Sequence, residues 1–589
     1  MMYKILFVFL IPFLLNYYVF TDSIEVSDTI RAIRFDKNYF SPPVSFPLRL
    51  SGTFGELRPQ HFHAGIDIRA EHAEGDSLFA TADGYLALLS SQPDKYGNSL
   101  QINHDNGLAS FFAHIDHFAP RLDSILNIAK ENRLENNLDI QLDTNYCIIK
   151  RGEFIGFIGN TGHSEGPHLH FEIRNIRSGQ VYNPLMFNFP IVDEWYPIIQ
   201  GIRLIDKWSG ADTIVYTKFN PSTSTRIDTI DMSADSVAFE LMAYDQSNGS
   251  GSKNGIYGVK ILSNDSLLFQ ARMDSFPLSE AKVINACIDY SSWLNGKGMW
   301  LRCYEDYDVD LGVSLGNAMY KGWVSFGTQE DSIKNITFDV FDYFGNKSQM
   351  KFVLRKNNNG IKKSKDNSHL PFEYYSLLAR EENVIKKDNL FIYFPSNSIY
   401  SNISFELDEY NDQSSGNYSE VVRIHDAHTP INRPIFVGIQ PNKKLSTDLK
   451  SKAFIAGCDA SGNTVNFGGY WNDQFLISER ISFFGMYWIA VDTIAPHISA
   501  VILPKKVQVA NKWVFDIDDD ITLSKSGNNL KYDFFINESW VPATYDLKRK
   551  RVTISATSPI NQDGTIGIDY CLKVTDPLGN TAEYNKKLN

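Results

Sequence analysis

From about residue 195 to the C-terminus, apolar and polar positions alternate in short runs such as VAFELMAYD, ITFDVFDYFGN and TIGIDYCLKVTDPLGN. A period of two, closed by Asp, Gly and Asn, predicts half-buried antiparallel strands. Three of the closing turns share the spelling D-x-x-G-N: DYFGNKS from Asp342, DASGNTV from Asp459 and DPLGNTA from Asp576, with successive copies 117 residues apart. That interval suits one β-sandwich of about a hundred residues per copy. The stretch 357–369, NNNGIKKSKDNSH, has the composition of a linker, and DTIAPHI from Asp492 opens a last unit. The reading is three β-sandwiches at 195–357, 370–490 and 491–589, the last of them Ig-like.

Residues 40–190 differ in texture, being rich in glycine and holding most of the chain's 13 histidines. In HFHAGIDIRA, 61–70, Ile66 and Ile68 alternate with Asp67, so a strand sends the isoleucines to the core and Asp67 to the other face. In ASFFAHID, 109–116, the same alternation puts Phe112 and His114 on one face. In GPHLHFEIR, 166–174, it puts His168, His170 and Glu172 on one face, with Leu169 and Phe171 on the other. Between them, Leu122, Ile125, Leu126 and Ala129 fall at helical spacing and predict a short amphipathic helix within 118–148.

At 589 residues the chain is too long for one core, and about four domains are expected. The aromatic load, 40 Phe, 29 Tyr and 9 Trp, favours sheets. The fold class is therefore mainly β. Net charge is −13 and there is no long Lys/Arg run, which argues against binding to nucleic acid or an anionic bilayer. The five cysteines include no CxxC pair, which excludes a cysteine zinc cluster. Proximity alone makes a Cys287–Cys303 bridge conceivable. At the N-terminus, Lys4 precedes an apolar run from Ile5 to Leu15, so residues 1–22 read as a signal peptide or an uncleaved anchor and the chain as exported. The acidic run DIDDD, 516–520, lacks the glycine and distal glutamate of a helix–loop–helix calcium loop and reads as a solvated turn.

Three histidines and a carboxylate can converge on one surface of the first domain. A catalytic zinc needs three nitrogen or oxygen ligands and keeps a fourth position for water. The segments FGELRPQHFHAGIDI, FFAHID and GNTGHSEGPHLHFEIR are similar to the signatures of lysostaphin-type (LytM-type) zinc endopeptidases, which cut peptide cross-links of bacterial peptidoglycan. The resemblance covers residues 45–190, a quarter of the chain. It implies an antiparallel β domain in which His63, Asp67 and His170 hold zinc. It makes His114 and His168 the two non-ligand histidines, one taking a proton from water and the other steadying the oxyanion or protonating the leaving amine. His61 lies two residues before His63, but only His63 has the four-residue spacing to Asp67. Glu172 is either an orienting partner for a ligand imidazole or a solvated strand residue. The expected substrate is the peptide stem of peptidoglycan, in the periplasm or cell envelope, with the sandwiches free to bind wall or a protein partner. The competing readings are a non-catalytic regulator of other wall hydrolases and a glycan-binding or adhesion scaffold.

Overall fold

The structure, a computed structural model, describes residues 36–588 apart from 73–74, 145, 207–211, 218–227, 310–318, 328–331, 358–372, 411–415, 459–461, 463, 505–509, 521, 524–529 and 558–567. The N-terminal segment 1–22, nearly all of the linker 357–369 and Asp459 of the second D-x-x-G-N turn lie outside the described residues.

The histidine-bearing unit is built on an antiparallel sheet. Its main strands are β1 (Leu50–Gly52), β2 (Ile66–Arg69), β3 (Gly84–Gln92), β4 (Gly97–Asn103), β5 (Leu108–Phe118) and β6 (His168–Asn175), with α1 (Pro120–Arg133) following β5. They lie side by side in the order β1-β2-β6-β5-β4-β3, so the segments that carry the histidines, distant in sequence, become neighbours. Alternation sorts the side chains as expected. Ile66, Ile68, Phe112, Leu169 and Phe171 enter one buried cluster, while Asp67, His168 and His170 face the other way. Gly65 lets β2 approach β6 closely, because a Cβ there would stand 2.3 Å from the Phe171 carbonyl oxygen. Helix α1 buries Leu122 and Leu126 against the same core, with Ile125 and Ala129 at its edge. That is the predicted amphipathic helix in a packing role.

Beyond it the chain is β throughout. Residues 198–356 form two five-stranded sheets around Phe239, Phe338 and Phe352. Residues 373–491 form most of a seven-stranded and all of a five-stranded sheet, and residues 497–588 form two four-stranded sheets around Trp513, Phe515 and Phe534. These are the three sandwich-like units that the alternating pattern predicts. Cys287 and Cys303 are separate buried thiols rather than a bridge, and burial pushes Cys287 up to about 12.

The units are not beads on a string. Strand Ser275–Pro277, from the segment assigned to the first sandwich, pairs with Gln180–Tyr182 at the edge of the histidine-bearing sheet. Its Phe276 packs on Phe54 and Phe62, with ring centroids 4.9 and 5.9 Å apart. The last sandwich folds back onto the first unit just after α1. The Asn136 amide donates to the Tyr532 carbonyl at 2.6 Å and its oxygen accepts from the Ala543 N–H at 2.7 Å, while Tyr532 donates to Asn137. Asn136 is buried, so Asn136→Ala leaves two buried backbone groups unpaired. The expected cost is about 1–3 kcal/mol, read as a lower urea midpoint for the transition that reports the last sandwich.

Candidate metal centre

Asp67 Oδ1, His63 Nε2 and His170 Nδ1 meet at the seam between β2, β6 and the turn preceding β2. His63 Nε2 lies 3.1 Å and His170 Nδ1 3.0 Å from Asp67 Oδ1, and the two nitrogens are 2.9 Å apart. All three side chains are buried. The spacing follows from register: His170 is directly opposite Asp67 across the β6–β2 pair, and His63 reaches back through the Ala64–Gly65 turn.

The rest of the structure fixes which atom each residue presents. His63 Nδ1 donates to the Thr53 carbonyl at 2.8 Å, leaving the Nε2 lone pair directed at the cluster. His170 Nε2 donates to Glu172 Oε1 at 2.8 Å, leaving Nδ1. The second oxygen of Asp67 is held by Arg58 Nη2. Three lone-pair donors this close repel one another unless a positive charge sits among them. A tetrahedral zinc with ~2.0–2.1 Å bonds separates its ligands by about 3.3–3.4 Å. The donors match zinc after outward shifts of a few tenths of an ångström, so the residues fit the metal. Burial opposes charge on His170, but hydrogen bonds to Asp67 and Glu172 prevail and raise it above its ordinary value. A metal must therefore displace a proton, and zinc affinity is expected to fall as the pH is lowered, read by titration against a chelating indicator. Burial lowers His63 to about 4, which keeps it neutral and available as a ligand.

Glu172 is fully buried, not solvated. Burial alone would raise its pKa; Arg174, 2.7 Å from Oε2, together with His170 overrides this and brings it to about 2. The Arg174 guanidinium carbon sits over Phe111, 3.6 Å from the ring centre. Glu172→Gln keeps the shape and removes the charge. It is expected to weaken zinc binding by about 10–100-fold, measured by competition with a chelating indicator.

His114 and His168 flank the cluster. Their ring centroids are 4.8 Å apart, and His114 is 5.9 Å from His170. The expectation that Phe112 and His114 share a face fails. Phe112 lies opposite Phe171 and points into the core, so strict alternation would bury His114 beside it. The β4–β5 pair is irregular here, with Leu100 opposite Phe112 and Asn98 opposite Ile115, so β5 carries one extra residue. His114 takes a left-handed backbone at φ 62°, and this bulge turns its ring to the metal face. The Asn160-Thr161-Gly162 turn is also more than a connection, because the Thr161 carbonyl accepts from His114 Nδ1 at 2.8 Å. His168 Nδ1 donates to the Gly166 carbonyl at 2.8 Å. Both rings therefore present Nε2 as an acceptor. Burial, with neighbouring histidines, lowers His114 well below its ordinary value, and burial lowers His168 too, so both are neutral near pH 7. His61 is exposed, bonded to the Pro59 carbonyl, and not among the metal donors.

Residues 137–184 match the profile of Peptidase family M23, and residues 375–492, the middle sandwich, match a Zu5-like domain. The DD-carboxypeptidase/endopeptidase Mpg of Neisseria meningitidis is 33% identical over 147 residues, 24% of this chain and 27% of that protein. The cell division protein DipM of Caulobacter vibrioides is 27% identical over 132 residues, 22% of this chain and 18% of that one. The chain thus spans about a quarter or less of the length of these curated relatives. Among solved structures, the catalytic domain of the antimicrobial peptidase lysostaphin from Staphylococcus simulans is 19% identical and covers 24% of this chain and 91% of its own, at a TM-score of 0.17. A zinc-containing peptidase from Vibrio cholerae is 23% identical and covers 25% of this chain and 39% of its own, at a TM-score of 0.19. On the profile match and the Neisseria relative, the histidine-bearing unit is an M23 (LytM-type) peptidase domain.

Proposed function

We propose that the chain is a zinc-dependent endopeptidase that hydrolyses peptide cross-links of peptidoglycan, exported to the periplasm or cell envelope. The carrying observation is the donor cluster of His63, Asp67 and His170, each with its remaining polar atom held by Thr53, Arg58 or Glu172. Those three residues would hold the ion. Zinc supplies Lewis acidity, polarising the scissile carbonyl and making water a usable nucleophile near neutral pH.

The chain's own residues do the rest. One of His114 and His168 takes the proton of the attacking water at Nε2 and, now an imidazolium, passes it to the departing amine; the other steadies the developing oxyanion only when it too carries a proton at Nε2. Their backbone-fixed Nδ1 atoms ensure that each presents Nε2 without a conformational search. Their depressed pKa values keep a base available as the pH falls below 7. The completeness of this set disfavours the reading as a non-catalytic regulator, since each of the five residues is present and turned to one site. Among the described residues no helix is long and apolar enough to cross a membrane. Export and any tether therefore rest on the N-terminal segment, and the sandwiches are offered as wall or partner contacts. The test is chelation: the purified chain should release new amino termini from sacculi, lose this with chelator and regain it with zinc alone. Hydrolysis that survives full zinc removal would refute the proposal.

A further inference from the structure

Two of the D-x-x-G-N turns build the same carboxylate cluster in different sandwiches. Asp193, Asp245 and Asp342 meet at one end of the first, and Asp492, Asp519 and Asp576 at one end of the last, with a ligand oxygen from each residue within 4.8 Å of the others. The clusters agree contact for contact. Asp193 and Asp492 both open their sandwich in the sequence V-D-x-x-x-P, Val192–Pro197 and Val491–Pro496. Oδ1 of Asp193 accepts from the N–H two residues on, Trp195, at 3.1 Å; Oδ1 of Asp492 accepts from Ile494 at 2.9 Å. Asn346 Nδ2 donates to the Asp193 carbonyl and to Asp342 Oδ2 at 3.0 and 2.6 Å; Asn580 Nδ2 donates to the Asp492 carbonyl and to Asp576 Oδ2 at 3.1 and 2.7 Å. The third aspartate in each follows a central strand, Asp245 after Ser236–Tyr244 and Asp519 after Ala510–Asp518.

The turns explain two carboxylates in each cluster but not the third. Asp245 is 3% exposed, and its Oδ1 has no hydrogen-bond partner; Asp519 is half-buried, and its Oδ1 is buried and likewise unpartnered. Among the described residues none of the six forms an ion pair. The nearby Lys452 donates to the Leu578 carbonyl at 2.7 Å instead. Burial and the neighbouring aspartates raise Asp245 to about 8 and Asp519 to about 7. A chain that needed only turns would not twice leave a buried carboxylate oxygen unpaired among other carboxylates. Oxygens bound to one ion at 2.3–2.6 Å lie at most about 5 Å apart, as these do. An all-oxygen, triply acidic set suits calcium and lacks the nitrogen or sulfur that zinc favours.

We infer that the first and last sandwiches each hold a calcium ion, on Asp193, Asp245 and Asp342 and on Asp492, Asp519 and Asp576. Asp519 belongs to the acidic run read from sequence as a solvated turn. Its neighbours Asp516 and Asp518 do face outward, paired with Arg551 and Lys550, while Asp519 turns in. The first ion also braces the peptidase domain. Asp245 exchanges backbone hydrogen bonds with Asn254 at 2.8 Å. The next residue, Gly255, donates to Glu56 and accepts from Thr53 Oγ1 at 3.0 Å, and the Thr53 carbonyl holds His63.

The test is calcium bound per full-length, zinc-loaded chain at about 5 mM free calcium, a concentration that saturates sites of the weak extracellular class. Equilibrium dialysis should give one ion fewer for Asp245→Asn, one fewer for Asp519→Asn and two fewer for the double variant. Calcium should raise the unfolding temperature of the wild type but not of the double variant. Asparagine preserves shape and removes repulsion, so the variants are expected to fold, as circular dichroism would verify. Fewer than two ions on the wild type, or equal calcium on the double variant, overturns the inference. Zinc content is counted in the same samples, so a failure here is distinct from a failure of the peptidase reading.

Discussion

His170→Ala is expected to abolish zinc binding and wall hydrolysis together. The substitution removes one of three donors, and it also strips Glu172 of its hydrogen-bond partner in a fully buried position. A catalytic zinc site is built from three protein ligands, and zinc supplies both the carbonyl polarisation and the activated water. Metal analysis should therefore fall from one zinc per chain to a small fraction, and turnover by at least ~10³-fold, since water is left near its bulk pKa. His63→Ala should behave alike. The structure predicts a further mark: Asp67 stays anchored by Arg58, so the loss should be local, leaving circular dichroism unchanged. Zinc retained at full occupancy in both variants would show that the donor cluster is not the metal site.

His114→Ala is the complementary case, with zinc kept and turnover lost. His114 donates no atom to the cluster, and its ring is fixed by the Thr161 carbonyl on the same face. Removing a general acid or base typically costs 10²–10⁴-fold, and a loss of about that size is expected at unchanged zinc content. The bulge adds a test that an ordinary strand position would not offer. At φ 62° a side chain costs about 1–2 kcal/mol of backbone strain. His114→Gly should therefore be more stable than His114→Ala by about 1 kcal/mol while being equally inactive, as denaturant titration of the two would reveal. Equal stability would mean that the left-handed backbone stores no strain.

These two residues also mark what the sequence could and could not convey. The resemblance singled out His63, Asp67 and His170, and short-range geometry accounts for their meeting: four residues through a glycine turn bring His63 to Asp67, and alternation puts His170 on the face opposite the core. The mainly β architecture followed from period-two runs for the same reason. His114 was drawn to this site by the resemblance, while the strand reading put it on the wrong face. Alternation pairs it with Phe112, and only an inserted residue in β5, invisible as a composition signal, reverses its side. Arg58, Thr53 and Thr161 carried no signal, because their roles arise from contacts across loops. Arg174 had a weak one, two residues from Glu172 on the same strand. The repeat of D-x-x-G-N was read as a module spacing, but the carboxylates it gathers come from three separate segments, and a one-dimensional reading could not assemble them.

The most direct measurement is mass spectrometry of the fragments released when purified sacculi are incubated with the full chain, with and without prior zinc removal. Cross-linked stems should disappear and their two uncross-linked products should rise with one new amino terminus per cut, only in the zinc-loaded sample. Sacculi left intact by a chain carrying one zinc on His63, Asp67 and His170 would contradict the account.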